Sequence, residues 1–111
     1  MAIPHAKPGE VIDVRPLAGA FDKAQTQTLV KTDSLEVIRV VMTAGKKLPP
    51  HRVAGEITVQ CLEGRIDFWA NGAKRELTAG SLLYLEGGSE HSLDAHENSS
   101  LLVTILLAHK A

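Results

Sequence analysis

The stretch Ile57-Thr58-Val59-Gln60-Cys61-Leu62-Glu63-Gly64-Arg65-Ile66-Asp67-Phe68-Trp69-Ala70-Asn71-Gly72-Ala73-Lys74-Arg75-Glu76-Leu77 decides the fold. Ile57 to Leu62 is a short apolar run with β-branched residues, closed by the turn pair Glu63-Gly64. From Arg65 to Ala70, Ile66, Phe68 and Ala70 alternate with Asp67 and Trp69, the period of two expected of a strand with one buried face. Asn71-Gly72 is the strongest short-range hairpin signal, because both central residues of a type I′ turn need a positive φ. Ala73 to Leu77 is then the returning strand.

Working outward, the same grammar continues on both sides. Leu35 to Thr43 reads Leu-Glu-Val-Ile-Arg-Val-Val-Met-Thr, β-branched enough for a central strand. Thr26 to Lys31 precedes it across a tight turn at Thr32-Asp33-Ser34. Glu10 to Leu17 reads as a first strand behind a Pro- and Gly-containing arm, and only Phe21 to Thr26 suggests a short helix. Ala44 to Pro50 interrupts the strands, since neither Pro49 nor Pro50 has an N–H to donate to a ladder. Beyond the hairpin come a turn at Ala79-Gly80, a strand over Ser81 to Leu85, a loop at Gly87-Gly88, and strands over His91 to Ala95 and Leu101 to Leu107. About ten short strands cut by closely spaced turns predict an all-β antiparallel barrel or jelly roll. There is no repeat and no linker, so residues 1–111 are expected to form one domain.

Composition narrows the partners. Twelve basic and 13 acidic residues nearly cancel, and no block of like charge occurs. Nucleic acid and anionic membrane, which select clustered Lys and Arg, are not expected. The single cysteine, Cys61, cannot form an intrachain disulfide and suits a reducing compartment. No apolar run approaches the ~20 residues of a membrane helix. Met1 to Gly9 lacks the apolar stretch of a signal peptide, so a cytoplasmic location is expected.

Two stretches resemble the paired motifs of the cupin superfamily. In residues 45–64, Gly45 is followed by five residues and His51, and Glu63-Gly64 closes the motif at the family's distance. In residues 80–95, Gly80 leads through Ser81-Leu82-Leu83-Tyr84-Leu85 to Glu86-Gly87-Gly88, and His91 follows Ser89-Glu90. A hairpin separates the motifs, as in small cupins, and the likeness extends over about residues 35–107. The resemblance implies an antiparallel double-stranded β-helix of the RmlC-like type with a short N-terminal arm.

The resemblance also implies a metal site, incompletely matched. In the family two His and one Glu of the first motif and one His of the second hold a divalent metal. His51 and His91 occupy the first and last of these positions, whereas Val53 stands for the second His and Ile57 for the Glu. Glu56 comes one residue early, which on a strand turns a side chain to the opposite face. Glu86 replaces the family's Pro and Ala95 its Asn. Two imidazoles alone would hold zinc, iron, nickel or manganese weakly. The residues also fit a pair of pocket histidines without metal, kept for hydrogen bonding or inherited from a metal-binding ancestor. Val59 and Cys61 share the face of Ile57, and with Val53 and Tyr84 they are the further residues expected to line the pocket; Cys61 packs equally well as a small hydrophobe. Gln60 falls on the opposite face. His5, His96 and His109 are expected at the surface.

The resulting expectation is a barrel that binds a small molecule at a degenerate two-His site. The alternative is a metal-dependent enzyme of the oxygenase or isomerase class using His51 and His91. A metal-free isomerase with either His as general base would need a carboxylate partner that the sequence does not identify. Leu101 to Leu107 carries more apolar residues than one inward face can use, so both faces should be covered and a two-fold homodimer is expected.

Overall fold

The computed structural model describes residues 5–107. A 3₁₀ helix, Ala18–Lys23, precedes nine strands: β1 Gln27–Lys31, β2 Leu35–Met42, β3 Lys47–His51, β4 Ile57–Glu63, β5 Arg65–Ala70, β6 Ala73–Thr78, β7 Leu82–Leu85, β8 His91–Ala95 and β9 Ser99–Leu106. They form a five-stranded sheet in the order β1-β2-β9-β4-β7 and a four-stranded sheet in the order β3-β8-β5-β6, with every pairing antiparallel. This is the expected jelly roll.

Local chemistry accounts for the connections. Asn71 and Gly72 both have positive φ, 52° and 75°, as a type I′ turn requires. Gly64, at φ 90°, joins β4 to β5 where a Cβ would overlap the backbone of Asn98 and Ser99. Only glycine satisfies both demands.

Three expectations need correction. Glu10 to Leu17 forms no strand: it is an arm tied to β2 by Arg39 Nη2 to Arg15 O (2.6 Å) and to β4 by Leu17 N to Glu63 (2.8 Å), while the preceding Ala6 N bonds Leu29 O on the edge strand β1 (2.8 Å). Pro16 lacks a donor, and the stretch makes no ladder with the open edge of β1; Val11 is 97% exposed. The helical turn begins at Ala18 rather than Phe21. Pro49 and Pro50 do lie in a strand, but β3 is the edge of its sheet and its pairing with β8 slips between Leu48 and His51. Prolines are tolerated on an edge strand at a bulge, and this one has consequences below.

The core lies between the sheets. Met42, Cys61, Ile66, Phe68 and Leu101 have no exposed surface, and Ile57, Val59, Leu77, Leu85 and Leu93 are nearly as buried. The two outer faces differ in charge. On the four-stranded sheet Arg65, Asp67, Lys74 and Glu76 lie outside and pair across strands, as in Arg65–Glu76 at 3.4 Å. On the five-stranded sheet the outward residues of β4, β7 and β9 are Thr58, Gln60, Leu62, Leu82, Tyr84, Ser100, Leu102, Thr104 and Leu106, all uncharged, and Glu63, which the slip at the end of β4 turns outward beneath the arm. Among the described residues no helix is long and apolar enough to cross a membrane.

Candidate functional site

His51 and His91 meet at one end of the barrel. They are direct cross-strand partners on β3 and β8, and their ring centroids are 4.3 Å apart at an interplanar angle of 59°. His91 follows from alternation, since it shares the buried face of Leu93 and Ala95. His51 does not. Lys47 pairs with Asp94 and Leu48 with Leu93, and continuing that register would set His51 opposite Glu90, on the outer face. The one-residue slip at Pro49-Pro50 sets it opposite His91 instead. A shift of one residue turns a side chain to the other face, and here it turns His51 onto His91 at the barrel rim, where it stays exposed to solvent.

Both rings are held the same way. His51 Nδ1 lies 3.1 Å from the Pro49 carbonyl oxygen and His91 Nδ1 lies 3.0 Å from that of Ser89. A carbonyl can only accept, so each Nδ1 carries the proton and donates. In the neutral imidazole each Nε2 then has a free lone pair. Beneath them, Phe68 stacks on His91 with ring centroids 5.5 Å apart and planes within 8°. His91 is 6% exposed, and this burial, with the nearby charge of His51, lowers its pKa against the opposing bond to Ser89. Its neutral form is therefore favoured near pH 7.

A small cavity of about 230 Å³ opens beside His91 at the rim and outer side of the four-stranded sheet, bounded by Pro50, Trp69, Asn71, Glu90 and Ser92; His51 is not among its lining residues. The remaining expected pocket residues are placed differently. Ile57, Val59 and Cys61 pack into the core against Met42, Phe68 and Leu101, and Val53 packs against its margin; none of them borders this cavity. Burial pushes the Cys61 thiol pKa up, which suits a core residue more than a thiolate ligand. Tyr84 sits on the outer face, 59% exposed, and its hydroxyl donates to Glu56 at 2.8 Å. Tyr84 pairs with Thr58, not with the inward Ile57–Val59–Cys61 set, so strand parity carries it outside.

The donor set fits only part of the family's metal shell. Two imidazoles with Nδ1–H anchored on carbonyls have the outer-shell arrangement of metal-binding histidines. No third His, Cys, Asp or Glu joins them among the described residues. Glu56 is bonded to Tyr84, and Glu90 is paired with Arg52 at 3.1 Å. The carboxylate of a facial triad is thus missing, and Val53 and Ile57 supply no ligand atom.

Two polar clusters escaped sequence reading. His96 Nε2 lies 2.7 Å from Asp67 Oδ2, and Asp67 is only 8% exposed although it is on the outer face. Arg39 and Glu63, from β2 and β4, form a buried ion pair at 3.3 Å under the arm. Ser100 Oγ bonds the same carboxylate at 2.5 Å, and the backbone amides of Leu17 and Ala18 donate to it. No short-range pattern marks either cluster; each joins residues at least 24 positions apart.

Comparison with known proteins agrees with this architecture. The cupin domain family matches residues 38–107. Among solved structures, a conserved protein of unknown function from Streptococcus pyogenes is similar at 18% identity and a TM-score of 0.75, over 99% of this chain and 97% of that one. A cupin superfamily protein from Desulfitobacterium hafniense is similar at 16% identity and a TM-score of 0.77, over 93% of this chain and all of that one (100%). A protein described as a predicted oxalate decarboxylase, from Thermotoga maritima, is similar at 22% identity and a TM-score of 0.67, over 75% and 79% of the two chains. No curated protein matches the chain. At these identities the likeness is one of fold, but the family match spans well over half the residues, the paired motifs fall on β3–β4 and β7–β8, and the two sheets close as the motifs require: the chain belongs to the cupin family.

Proposed function

We propose that this cupin barrel binds a small molecule at its mouth, on the Nε2 atoms of His51 and His91. The observation that carries this reading is the shared anchoring of both Nδ1 atoms on backbone carbonyls, which leaves two acceptor nitrogens on adjacent rings. With His91 held neutral, the matching ligand is a donor, such as a hydroxyl-bearing compound, with an apolar portion that can lie along Trp69 or Pro50.

The second reading, a metal-dependent enzyme of the oxygenase or isomerase class, is favoured by the same anchoring, because metal-binding histidines are oriented this way. A bound divalent metal would be held by the two imidazoles and would supply Lewis-acid chemistry; the chain itself contributes no carboxylate beside it.

Thermal unfolding with zinc or manganese salts separates the two. Coordination needs neutral imidazole, so protonation near pH ~6.5 competes with the metal. A metal-dependent protein shows a melting temperature raised by metal at pH 8 and much less at pH 5.5, and loses the response in a His51→Ala, His91→Ala double variant. The binding reading expects little or no metal response in the parent, and a shift with small diols or phenols that the double variant loses. A metal response that survives the double variant removes this site from both readings.

We also infer that the chain pairs as a homodimer through the outer face of β4, β7 and β9, away from the Arg39–Glu63 pair under the arm. Leu82, Tyr84 and Leu106 there are 66%, 59% and 50% exposed, and an uncharged face meets its own two-fold copy without like-charge repulsion. Light scattering is expected to give two chains per particle, and Leu102→Glu to give one. A parent that stays monomeric at micromolar concentration defeats the inference.

A further inference from the structure

A second and larger cavity lies away from the histidine pair. A cleft of about 890 Å³ lies between the N-terminal arm and the outer face of β1 and β2, and shares no lining residue with the cavity beside His91. We infer that this cleft is a second ligand site, shaped for an amphiphilic organic anion with an apolar body and a carboxylate head.

The cleft is held open from both ends. Ala6 N bonds Leu29 O on the edge strand, and the arm at Leu17 and Ala18 is tied through its amides to Glu63. Between these anchors Arg39 Nη2 also holds the arm at Arg15 O (2.6 Å). The volume of the cleft lies in the range of small-ligand pockets. Leu29 and Val41 from the sheet and Leu17 and Ala20 from the arm give it an apolar surface.

The polar groups of the lining are unequally committed. Glu10 accepts from the Lys7 amide at 2.5 Å, and Asp13 is paired with Arg15 at 2.8 Å. Lys7 and Lys23, which also line the cleft, have no side-chain ion pair among the described residues. Arg39 is the decisive residue. It is only 8% exposed and borders the cleft, with Nη2 engaged by Arg15 O at 2.6 Å, Ser100 Oγ at 3.2 Å and Glu63 at 3.3 Å. Its Nε–H is buried with no acceptor. That nitrogen is closed off from the cleft as the side chains stand, so an anionic oxygen bonds it only when Arg39 turns within the lining, a turn that its unpaired donor favours. The two ammonium groups then favour a negative head over a neutral one.

Calorimetric titration of the full chain with octanoate, octan-1-ol and inorganic phosphate tests this. Octanoate is expected to bind at least about ten-fold tighter than either of the others, since only it satisfies both halves of the cleft. Lys23→Glu, an exposed change that leaves the fold intact, is expected to weaken octanoate about ten-fold. Val41→Trp is expected to fill the cleft and abolish binding, whereas the His51→Ala, His91→Ala variant keeps it. Equal affinity for octanoate and octanol, or an unchanged affinity in Lys23→Glu, overturns the proposal. So does a dimer in which Lys23 is protected from amine labelling and octanoate does not bind, because the occupant is then the second chain.

Discussion

Replacing Glu63 with alanine is expected to cost about 3 kcal/mol of folding stability, because it leaves the Arg39 guanidinium buried without its counter-ion. The side chains of Arg39 and Glu63 are 9% and 14% exposed, so water recovers little of the loss. The same change removes the acceptor for the Leu17 and Ala18 amides, and amide exchange in the arm should speed up accordingly. An Arg39→Met, Glu63→Leu double variant should lie closer to the parent than Glu63→Ala does, since removing both charges also removes their desolvation. Acid unfolding gives an independent readout. Burial alone would raise the Glu63 pKa, but the bonds from Ser100, Leu17 and Ala18 and the charge of Arg39 outweigh it and hold the carboxyl below the ordinary glutamate range. Its stabilising contribution is therefore complete above about pH 4.3 and is lost as pH falls through the depressed folded value. Glu63→Gln should flatten that acid limb. A loss below about 1 kcal/mol in Glu63→Ala, with an unchanged acid limb, would show that the pair behaves as an exposed one.

Phe68→Ala is expected to be at least as damaging, at about 3–5 kcal/mol, because the ring is fully buried between the sheets and its removal leaves a cavity. It also takes away the surface on which His91 stacks. Water reaching the imidazole should then let the His91 pKa rise toward its ordinary value, measurable by following its ring proton across pH. In the parent the fold favours neutral His91, so the associated stability is present above about pH 6.5 and declines as pH falls through the lowered folded value. The variant should lose part of that dependence. Phe68→Leu, which retains most of the volume, should show a smaller loss and a His91 titration near that of the parent. An unshifted His91 in Phe68→Ala would separate the stacked ring from the burial that lowers the pKa.

The strands, the Asn71-Gly72 hairpin and the inward set Ile57, Val59 and Cys61 were legible in the amino-acid sequence. Each rests on information local to the chain: period-two alternation, and a turn that needs two positive φ angles. The family resemblance added His51 and His91 as the residues to bring together, and Val53 and Ile57 as the positions where ligands are lacking. Tertiary structure decided the rest, and it did so mainly through bulges. In β3 the slip at Pro49-Pro50 moves His51 from the outer face onto His91 at the barrel rim. In β4 the slip between Cys61 and Glu63 sets Glu63 opposite Ser100, so the carboxylate leaves the inward parity of Cys61 and reaches Arg39 on the outside. A bulge belongs to a pair of strands, and its partner lies tens of residues away, so alternation counted along one strand cannot reveal it. The arm is the same case in another form: Glu10 to Leu17 has apolar residues enough for a strand, but the fold ties it across the sheet, through Arg39 to Arg15 O and through Glu63 to the Leu17 amide, instead of along the open edge of β1.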